Sequence, residues 1–405
     1  MSDPITSTLT QAPAEVSRAA YAQPGPAYAG HNTRPRSLFV PALIGFILLG
    51  LTALLVIGYL FLALGPGAVA IAGFLALIPL AIVLFGVRWI DRWEPEPRSV
   101  LLFAFLWGAA SSVFIALLVG LAVEVAVGVS GADVGDTTFL SVVIQAPLVE
   151  ETAKGLGVLL IFLVVRKHFD GPVDGIVYAA TVAGGFAFTE NIIYFGGEIV
   201  AGSSGSVIFI FVLRGLMSPF AHVMFTLCTG LAIGIGARRR GALGGVLGFF
   251  IGLVPAMFLH FLWNFAGTVS VGWQFYGFYA VVQIPLFIGA IVLVVQLRKH
   301  EAKLTGIRLS EYAAAGWFNP DEVSALATSR GRQQAITWAK AHGLGSVMKG
   351  YIMDATRLAF TRQRLIVGHD VVGGQVEEAA VLASIVARRA ALLPQVAAAS
   401  AEQRR

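Results

Sequence analysis

The sequence predicts an all-α fold: a polytopic membrane bundle of about eight transmembrane helices with a small helical extension at its C-terminal end. Of the 405 residues, 57% are hydrophobic and only 13% are charged, whereas soluble proteins carry about a quarter charged residues. From Ser37 to Gln296 the chain is nearly all apolar. The segment from Arg298 onward holds 15 of the 28 Lys and Arg residues and resembles a soluble region.

The first 37 residues are rich in Pro, Ala, Gly and Ser, which predicts a disordered tail. This tail is too long and polar for a signal peptide. The single cysteine, Cys228, excludes an internal disulfide and a cysteine metal cluster. We therefore expect a disordered cytoplasmic tail at 1–37, a transmembrane bundle at 38–296 and a cytoplasmic helical region at 297–405.

Eight apolar runs have about the 20 residues that cross a bilayer. They lie at about 38–64, 67–87, 100–128, 138–165, 173–195, 207–236, 241–265 and 274–296. Six spans would have the same parity if one pair has been divided too finely. The ends are uncertain by several residues, because boundaries are the weakest part of such predictions.

Basic residues mark every second connection along this bundle, and the alternate connections contain no Lys or Arg. The basic positions are Arg34 and Arg36, then Arg88, Arg92 and Arg98, then Arg166 and Lys167, then Arg238 to Arg240, then Arg298 and Lys299. This is a positive-inside pattern, which predicts a multi-pass protein of the plasma membrane with both termini cytoplasmic. The net charge of +5 thus reflects topology in a lipid bilayer, and we expect no nucleic-acid partner.

The C-terminal region contains two helical patterns. The first opens at Asn319-Pro320-Asp321, which is typical of an N-cap followed by proline at the first helical position. The second covers residues 373–393. Neither carries side chains whose chemistry we can assign.

Three ionisable residues lie within one apolar run, in the stretch LVEETAK: Glu150, Glu151 and Lys154. A charge at the bilayer centre costs about 2.5–3.5 kcal/mol on insertion scales. Since each helical residue turns the chain by about 100°, the three side chains share one face. They form either a functional cluster or an ion pair that joins helices.

Three later helices also carry a narrow polar stripe. The stripes consist of Glu190, Asn191 and Tyr194; of Ser218, His222 and Thr226, with Arg214 beside them; and of His260 and Asn264. Because lipid cannot solvate these groups, the four stripes should face one another. Carboxylate and imidazole groups are ligands that zinc accepts, and a carboxylate beside a water is a general base. This residue set predicts hydrolysis of a bond inside the membrane.

Structural roles account for several other polar or small residues. We expect Arg214 to pair with a carboxylate or carbonyls, and Asp174 to cap a helix. The pair Gly184-Gly185 should allow close helix packing. Tyr194 and Asn191 should pack beside the site or support it.

Two other classes of protein fit the same composition. A proton- or ion-coupled transporter also places Glu, Lys and His in the membrane. However, the sequence has no internal inverted repeat, and the polar groups lie in four consecutive helices. A catalytically inactive membrane scaffold is the third alternative, although the complete polar set argues against it.

The chain resembles the PrsW family of intramembrane proteases, distant relatives of the CAAX prenyl proteases. The matching pieces are DRWEPEP at Asp91–Pro97, EETAK at Glu150–Lys154, DGIVYAATVAGGFAFTEN at Asp174–Asn191, His222, and HFLWN at His260–Asn264. The resemblance covers about Arg88 to Gly267. These patterns follow one another in the same order of helices, so the resemblance is specific.

The resemblance implies a role for each matched residue. Glu150 corresponds to the general base, and Glu151 to its partner or a metal ligand, with Lys154 and Asn191 as supporting residues. Glu190, His222 and His260 correspond to ligands of a zinc ion or to water-positioning groups, and Asn264 to an oxyanion donor. The CAAX relatives have histidine in place of Glu190, so a metal site and a metal-free glutamate mechanism both stay open. The implied substrate is a single-span membrane protein such as an anti-sigma factor.

Overall fold

The computed structural model describes residues 39–130, 139–166, 169, 171–202, 204–270, 272–368 and 371–402. All regular structure in these ranges is helical, which confirms the predicted all-α fold. The described residues divide into two compact units, which we call the membrane unit, Ser37–Val295, and the C-terminal unit, from Gln296 onward. The predicted disordered tail, 1–37, lies outside the described residues.

The membrane unit consists of long helices, several of them joined by a short π-helical turn. They are α1 Phe39–Ile90; α2 Arg98–Leu106 and α3 Val113–Ser130; α4 Ala146–Val164; α5 Pro172–Val200; α6 Ser204–Ile210; α7 Ala221–Val269; α8 Trp273–Phe278; and α9 Ile284–Ala314. The π-helical turns are Trp107–Ser112, Ser141–Gln145, Phe211–Met217 and Tyr279–Gln283. Helix α9 continues from the membrane unit into the C-terminal unit.

Five helical stretches of the described residues are long and apolar enough to cross a membrane. Large apolar side chains on them face outward, for example Leu62 and Phe74. Exposing so much apolar surface to water is energetically unfavourable, so these faces contact lipid. The chain is therefore a multi-pass helical membrane protein, as predicted.

Two of the long helices are broken where the sequence analysis divides them. In α1 the break is at Gly65, with a φ of 79°, and in α7 it is at Arg240 and Gly241. Glycine adopts positive φ without a steric penalty, so both breaks fall at residues that permit them. The count of eight spans stays a prediction. Helix α4 is not among the five stretches that are long and apolar enough to cross a membrane.

The predicted helix at 207–236 is wrong as a continuous element. The π-helical turn ends at Met217, and regular helix resumes only at Ala221. The physical reason is Pro219, because proline lacks an N–H and disfavours helical backbone in the preceding residue. His222 consequently lies in the first turn of α7.

Helix α5 is the centre of the membrane unit, and every residue from Gly171 to Phe186 is buried. Glycine makes this packing possible. A Cβ on Gly185 would lie 2.1 Å from the Phe105 carbonyl oxygen, and one on Gly175 would lie 2.0 Å from the Gly230 carbonyl oxygen. The predicted close packing at Gly184-Gly185 is confirmed for Gly185, and α5 thereby holds its polar residues at fixed depth against α2 and α7.

A connection between α1 and α2, the DRWEPEP stretch, is tied to α5 by hydrogen bonds. The Asp91 carboxylate accepts the Glu96 backbone N–H at 2.9 Å, and the Tyr178 hydroxyl donates to Glu96 at 2.5 Å. Asp174 accepts the Gly171 backbone N–H at 2.8 Å, which confirms its predicted capping role. Burial raises the pKa of Asp91 to about 6, and burial together with the Asp174 charge raises the pKa of Glu96.

The C-terminal unit has its own apolar core, formed by the end of α9 and four further helices. These are α10 Pro320–Leu326, α11 Ser329–Ala341, α12 Gly345–Ile366 and α13 Val371–Glu402. Asn319 accepts the Asp321 N–H, so the predicted N-cap is confirmed. Helix α12, whose buried residues include Tyr351 and Leu358, was not predicted from the sequence.

Candidate active site

The three charged residues of α4 share one face, as predicted. The Lys154 ammonium lies 2.5 Å from Glu151 Oε1 and 3.9 Å from Glu150 Oε2. Lys154 and Glu151 are completely buried. The ammonium also lies over the Phe186 ring, 4.4 Å from its centre. A cation between a carboxylate and an aromatic face is compensated in a medium without water.

Glu151 is fully hydrogen-bonded and holds His260 in one orientation. Its Oε1 lies 2.9 Å from His260 Nδ1, and its Oε2 accepts the Thr226 hydroxyl at 2.8 Å. An ionised carboxylate only accepts hydrogen bonds, so Nδ1 of His260 carries the hydrogen and Nε2 of the neutral ring keeps a lone pair. Phe225 stacks on the imidazole with a centroid separation of 4.9 Å.

His222 connects α4 with α5. Its Nδ1 lies 3.2 Å from Lys154 Nζ, and its Nε2 lies 2.7 Å from Glu190 Oε2. Because an ammonium only donates, Nδ1 accepts and Nε2 donates to Glu190. The His222 and His260 rings lie perpendicular to each other with centroids 5.2 Å apart.

Arg214 contacts the polar residues that α5 contributes to the cluster. Its guanidinium forms an ion pair with Glu190, donates to Asn191 Oδ1 at 3.1 Å and lies 4.0 Å from the Tyr194 ring centre. The predicted pairing of Arg214 with a carboxylate is confirmed. Asn191 and Tyr194 thus contact the arginine that holds Glu190.

Glu150 differs from the other carboxylates of the cluster. Its Oε2 is buried and has no hydrogen-bond partner in the described part of the chain. It lies 3.8 Å from His260 Nε2, so two lone-pair-bearing atoms face each other across a short gap. A water or a cation between the two acceptors would satisfy both of them. Ligand atoms of Glu150, His222 and His260 all lie within 4.8 Å of one another, which suits a metal ion.

Two predicted site residues occupy other positions. Glu190 lies outside this three-residue group, and its carboxylate contacts His222 and Arg214. Asn264 lies one turn beyond His260 and donates to the Val142 carbonyl at 2.8 Å, before the start of α4.

Sequence reasoning missed two aromatic contacts of the site, Phe186 and Phe225. A signal was available in each case, because Phe186 lies four residues before Glu190 and Phe225 lies three residues after His222, on the same helix faces. Both are apolar residues in apolar helices, so the pattern alone does not single them out.

A helical membrane bundle with buried carboxylate and imidazole groups around a glutamate oxygen that accepts no hydrogen bond is typical of a membrane-embedded hydrolase. Residues 96–290 match the model of the family described as PrsW family intramembrane metalloprotease. The chain is 34% identical to Protease PrsW of Clostridioides difficile (strain 630) over 205 residues, 49% of this chain and 80% of that relative. It is 29% identical to Protease PrsW of Bacillus subtilis (strain 168) over 186 residues, 46% of this chain and 78% of that relative. No solved structure matches.

The chain therefore belongs to the PrsW family of intramembrane metalloproteases. It is a membrane-embedded hydrolase that acts on membrane proteins within the bilayer, and the transporter alternative is not favoured.

Proposed function

We propose that Glu150 takes the proton of the attacking water, and that Glu150, His222 and His260 form the metal site. The observation that supports both roles is that Glu150 Oε2 accepts no hydrogen bond in the described part of the chain and lies 3.8 Å from His260 Nε2. A carboxylate has two oxygens, so one can face a cation while the other accepts a proton.

Zinc suits this donor set. Imidazole and carboxylate ligands bind zinc at about 2.0–2.2 Å, which places two ligand atoms about 3–4 Å apart, and catalytic zinc sites use three protein ligands with one open position. His222 would bind through one ring nitrogen, in place of its contact with Lys154 or with Glu190. When bound, the ion supplies Lewis acidity that polarises a peptide carbonyl.

The remaining residues of the cluster position the reacting groups. Glu151 keeps His260 in the tautomer whose Nε2 faces Glu150, an arrangement common around histidine ligands. Glu190, held by Arg214, orients His222, and Lys154 balances the carboxylate charge. Asn264 is the candidate oxyanion donor, because the Nδ1–H of His260 is directed to Glu151 and its Nε2 belongs to the proposed metal site. For Asn264 this role requires its amide to turn away from the Val142 carbonyl.

The substrate is proposed to be a single-span membrane protein, of which an anti-sigma factor is one candidate. An apolar groove of about 350 Å³ in the membrane unit supports this class of substrate. Its lining includes Val83, Phe220, Met224, Phe287 and Ala290. Phe220 and Met224 lie within one helical turn of His222 along the chain, so the groove lies at about the same level along α7 as the site, on another face of the helix.

The positive-inside pattern supports a plasma-membrane protein with both termini in the cytoplasm. In this arrangement residues 1–37 form a cytoplasmic tail and residues 297–405 a cytoplasmic domain. Reporter fusions at two sites test this orientation. One site is Ser329, in the C-terminal unit, and the other is Gly196, near the C-terminal end of α5.

The first experiment measures metal bound to the purified protein by mass spectrometry. Wild type should hold about one zinc per chain, and the His222→Ala, His260→Ala double variant should lose it. Metal absent from wild type, or retained in the double variant, would overturn the metal site.

The second experiment measures cleavage of a co-expressed single-span test protein. Glu150→Gln should abolish cleavage while the unfolding temperature changes little. The matched control is Glu124→Gln, because Glu124 is an exposed membrane glutamate outside the cluster. Continued cleavage by Glu150→Gln would refute the role of Glu150.

A further inference from the structure

A second open groove, of about 460 Å³, lies in the membrane unit where α1, α2 and α5 meet, and we call it the arginine groove. Its walls are apolar, with Leu80 and Leu84 on α1 and Leu101 and Phe105 on α2. Thr181 of α5 also lines it, and the Thr181 hydroxyl donates to a backbone carbonyl of its own helix at 2.7 Å. The groove shares no lining residue with the catalytic cluster, and its volume is that of a small-molecule site.

An arginine stands at the same end of each wall of this groove. Arg88 lines the groove one helical turn after Leu84, and Arg98 lies one turn before Leu101. Only residues 91–97 separate α1 from α2, so both arginines are at the end where the two helices are connected. Both side chains are exposed, and neither forms a hydrogen bond or an ion pair within the described part of the chain.

The charge at this mouth is net positive. Asp91 is the acidic residue among the lining residues, and its Oδ1 accepts the Glu96 backbone N–H at 2.9 Å. One carboxylate therefore stands against the two guanidinium groups of Arg88 and Arg98. The mouth consequently suits a ligand group with negative charge.

The dimensions of the arginine groove match one leaflet of a bilayer. Both α1 and α2 belong to helical stretches long and apolar enough to cross a membrane. Leu80 lies eight residues before Arg88, and Phe105 lies seven residues after Arg98, which is about 10–12 Å along each helix. Half of the hydrocarbon core is about 15 Å thick. The apolar walls thus extend over most of one leaflet, and the arginines stand at its surface.

We propose that the arginine groove binds one anionic glycerophospholipid, with an acyl chain between α1 and α2 and the phosphate at Arg88 and Arg98. The planar guanidinium suits phosphate because it donates two parallel hydrogen bonds. Apolar walls accept any acyl chain, so the headgroup supplies the selectivity. This inference does not require the roles proposed for Glu150 and the histidines, and its test measures binding without cleavage.

The first test measures lipid retained by the purified full-length chain in native mass spectrometry. Phosphatidylglycerol and phosphatidylcholine with identical acyl chains are added in equal amounts, and wild type should retain one phosphatidylglycerol several-fold more often. The Arg88→Gln, Arg98→Gln variant should lose this preference. The control variant Arg239→Gln, Lys299→Gln removes the same charge from two other exposed basic connections and should keep the preference.

A second variant tests the acyl chain. Leu101→Trp places an indole in the groove and should lower retention of both lipids several-fold. Leu118→Trp is the control, because Leu118 is 54% exposed on α3 and does not line the groove. In wild type, a phosphatidylglycerol with a diazirine in its acyl chain should label peptides that contain residues 80–84 or 101–105. This labelling does not depend on whether any variant folds.

Three outcomes would overturn the proposal. An unchanged preference in the Arg88→Gln, Arg98→Gln variant would place the headgroup elsewhere. Retention of several lipids by every variant, with labelling spread over the apolar helices, would mean annular lipid only. A dimer that retains no lipid would mean that a second copy of the chain covers the groove.

Discussion

His260 Nε2 and Glu150 Oε2 lie 3.8 Å apart inside the membrane unit, and both atoms keep a lone pair. Glu151 causes this relationship, because its carboxylate accepts a hydrogen bond from Nδ1–H of the same imidazole. Two adjacent glutamates of one helix consequently differ in their surroundings. Glu151 is enclosed by Lys154, Thr226 and His260, whereas Glu150 Oε2 accepts no hydrogen bond in the described part of the chain and lies 3.9 Å from the Lys154 ammonium.

The Lys154–Glu151 pair should be strongly coupled energetically. Lys154→Met leaves a buried carboxylate without its main cation, and breaking a buried pair in this way costs about 3–5 kcal/mol. The double variant Lys154→Met, Glu151→Gln removes both charges and should recover part of that loss. Thermal unfolding in detergent measures the coupling, and additive effects would contradict it. Arg357→Met is the control, since the Arg357–Glu377 pair has a half-exposed arginine and contributes at most about 1 kcal/mol.

Arg214→Lys should impair the site although charge is conserved. The guanidinium contacts Glu190, Asn191 and Tyr194 together, and a single ammonium cannot reproduce that geometry. A lost hydrogen bond to a charged group is worth about 1.5–3 kcal/mol, which corresponds to about 10- to 100-fold in kcat/KM. Cleavage kinetics should attribute most of the loss to kcat. The exposed Arg239→Lys serves as the control, and equal rates for the two variants would rule out a positioning role.

The connection between α1 and α2 should loosen as pH rises. The pKa of Asp91 is raised from 3.8 to about 6, so the folded protein favours the neutral carboxyl. This contribution to stability is complete below about pH 4 and is lost as pH rises through about 6. Hydrogen exchange of residues 91–97 should therefore accelerate between pH 5 and pH 7 beyond the intrinsic chemical effect. In the Asp91→Asn variant the amide oxygen can still accept the Glu96 N–H, but the group does not titrate. This variant should therefore show less of the acceleration beyond the intrinsic chemical effect. An unchanged profile in this variant would assign the effect to another group, such as Glu96.

Filling the apolar groove should hinder the substrate without disturbing the catalytic cluster. Ala290 lines the groove, and an indole at that position would occupy space proposed for a transmembrane segment. We expect Ala290→Trp to raise KM for a single-span test protein several-fold and to leave zinc content unchanged. Ile288→Trp provides the matched control, because Ile288 is 55% exposed on the outward side. A similar KM in both variants would place substrate entry elsewhere.

Much of this architecture follows directly from the sequence. Apolar runs of bilayer length can only be helices, because lipid offers no partner for backbone N–H and C=O groups. The shared face of Glu150, Glu151 and Lys154 follows from the helical repeat, and the cost of isolated charge requires the polar stripes to converge. The capping positions Asp174 and Asn319 are local features, so they too could be predicted.

Long-range contacts account for what the sequence could not supply. The pattern treats Glu150 and Glu151 alike, and only the positions of Thr226 and His260 on α7 distinguish them. Glu190 has the chemistry of a metal ligand, yet Arg214 and His222 already contact its carboxylate. The break at Pro219 was also missed, because its flanks are equally apolar. Helix α12 was missed although its apolar positions, from Met348 to Phe360, recur with helical spacing. Local periodicity determined which residues turn toward the interior, whereas the partner that each residue meets there depends on how separate helices pack.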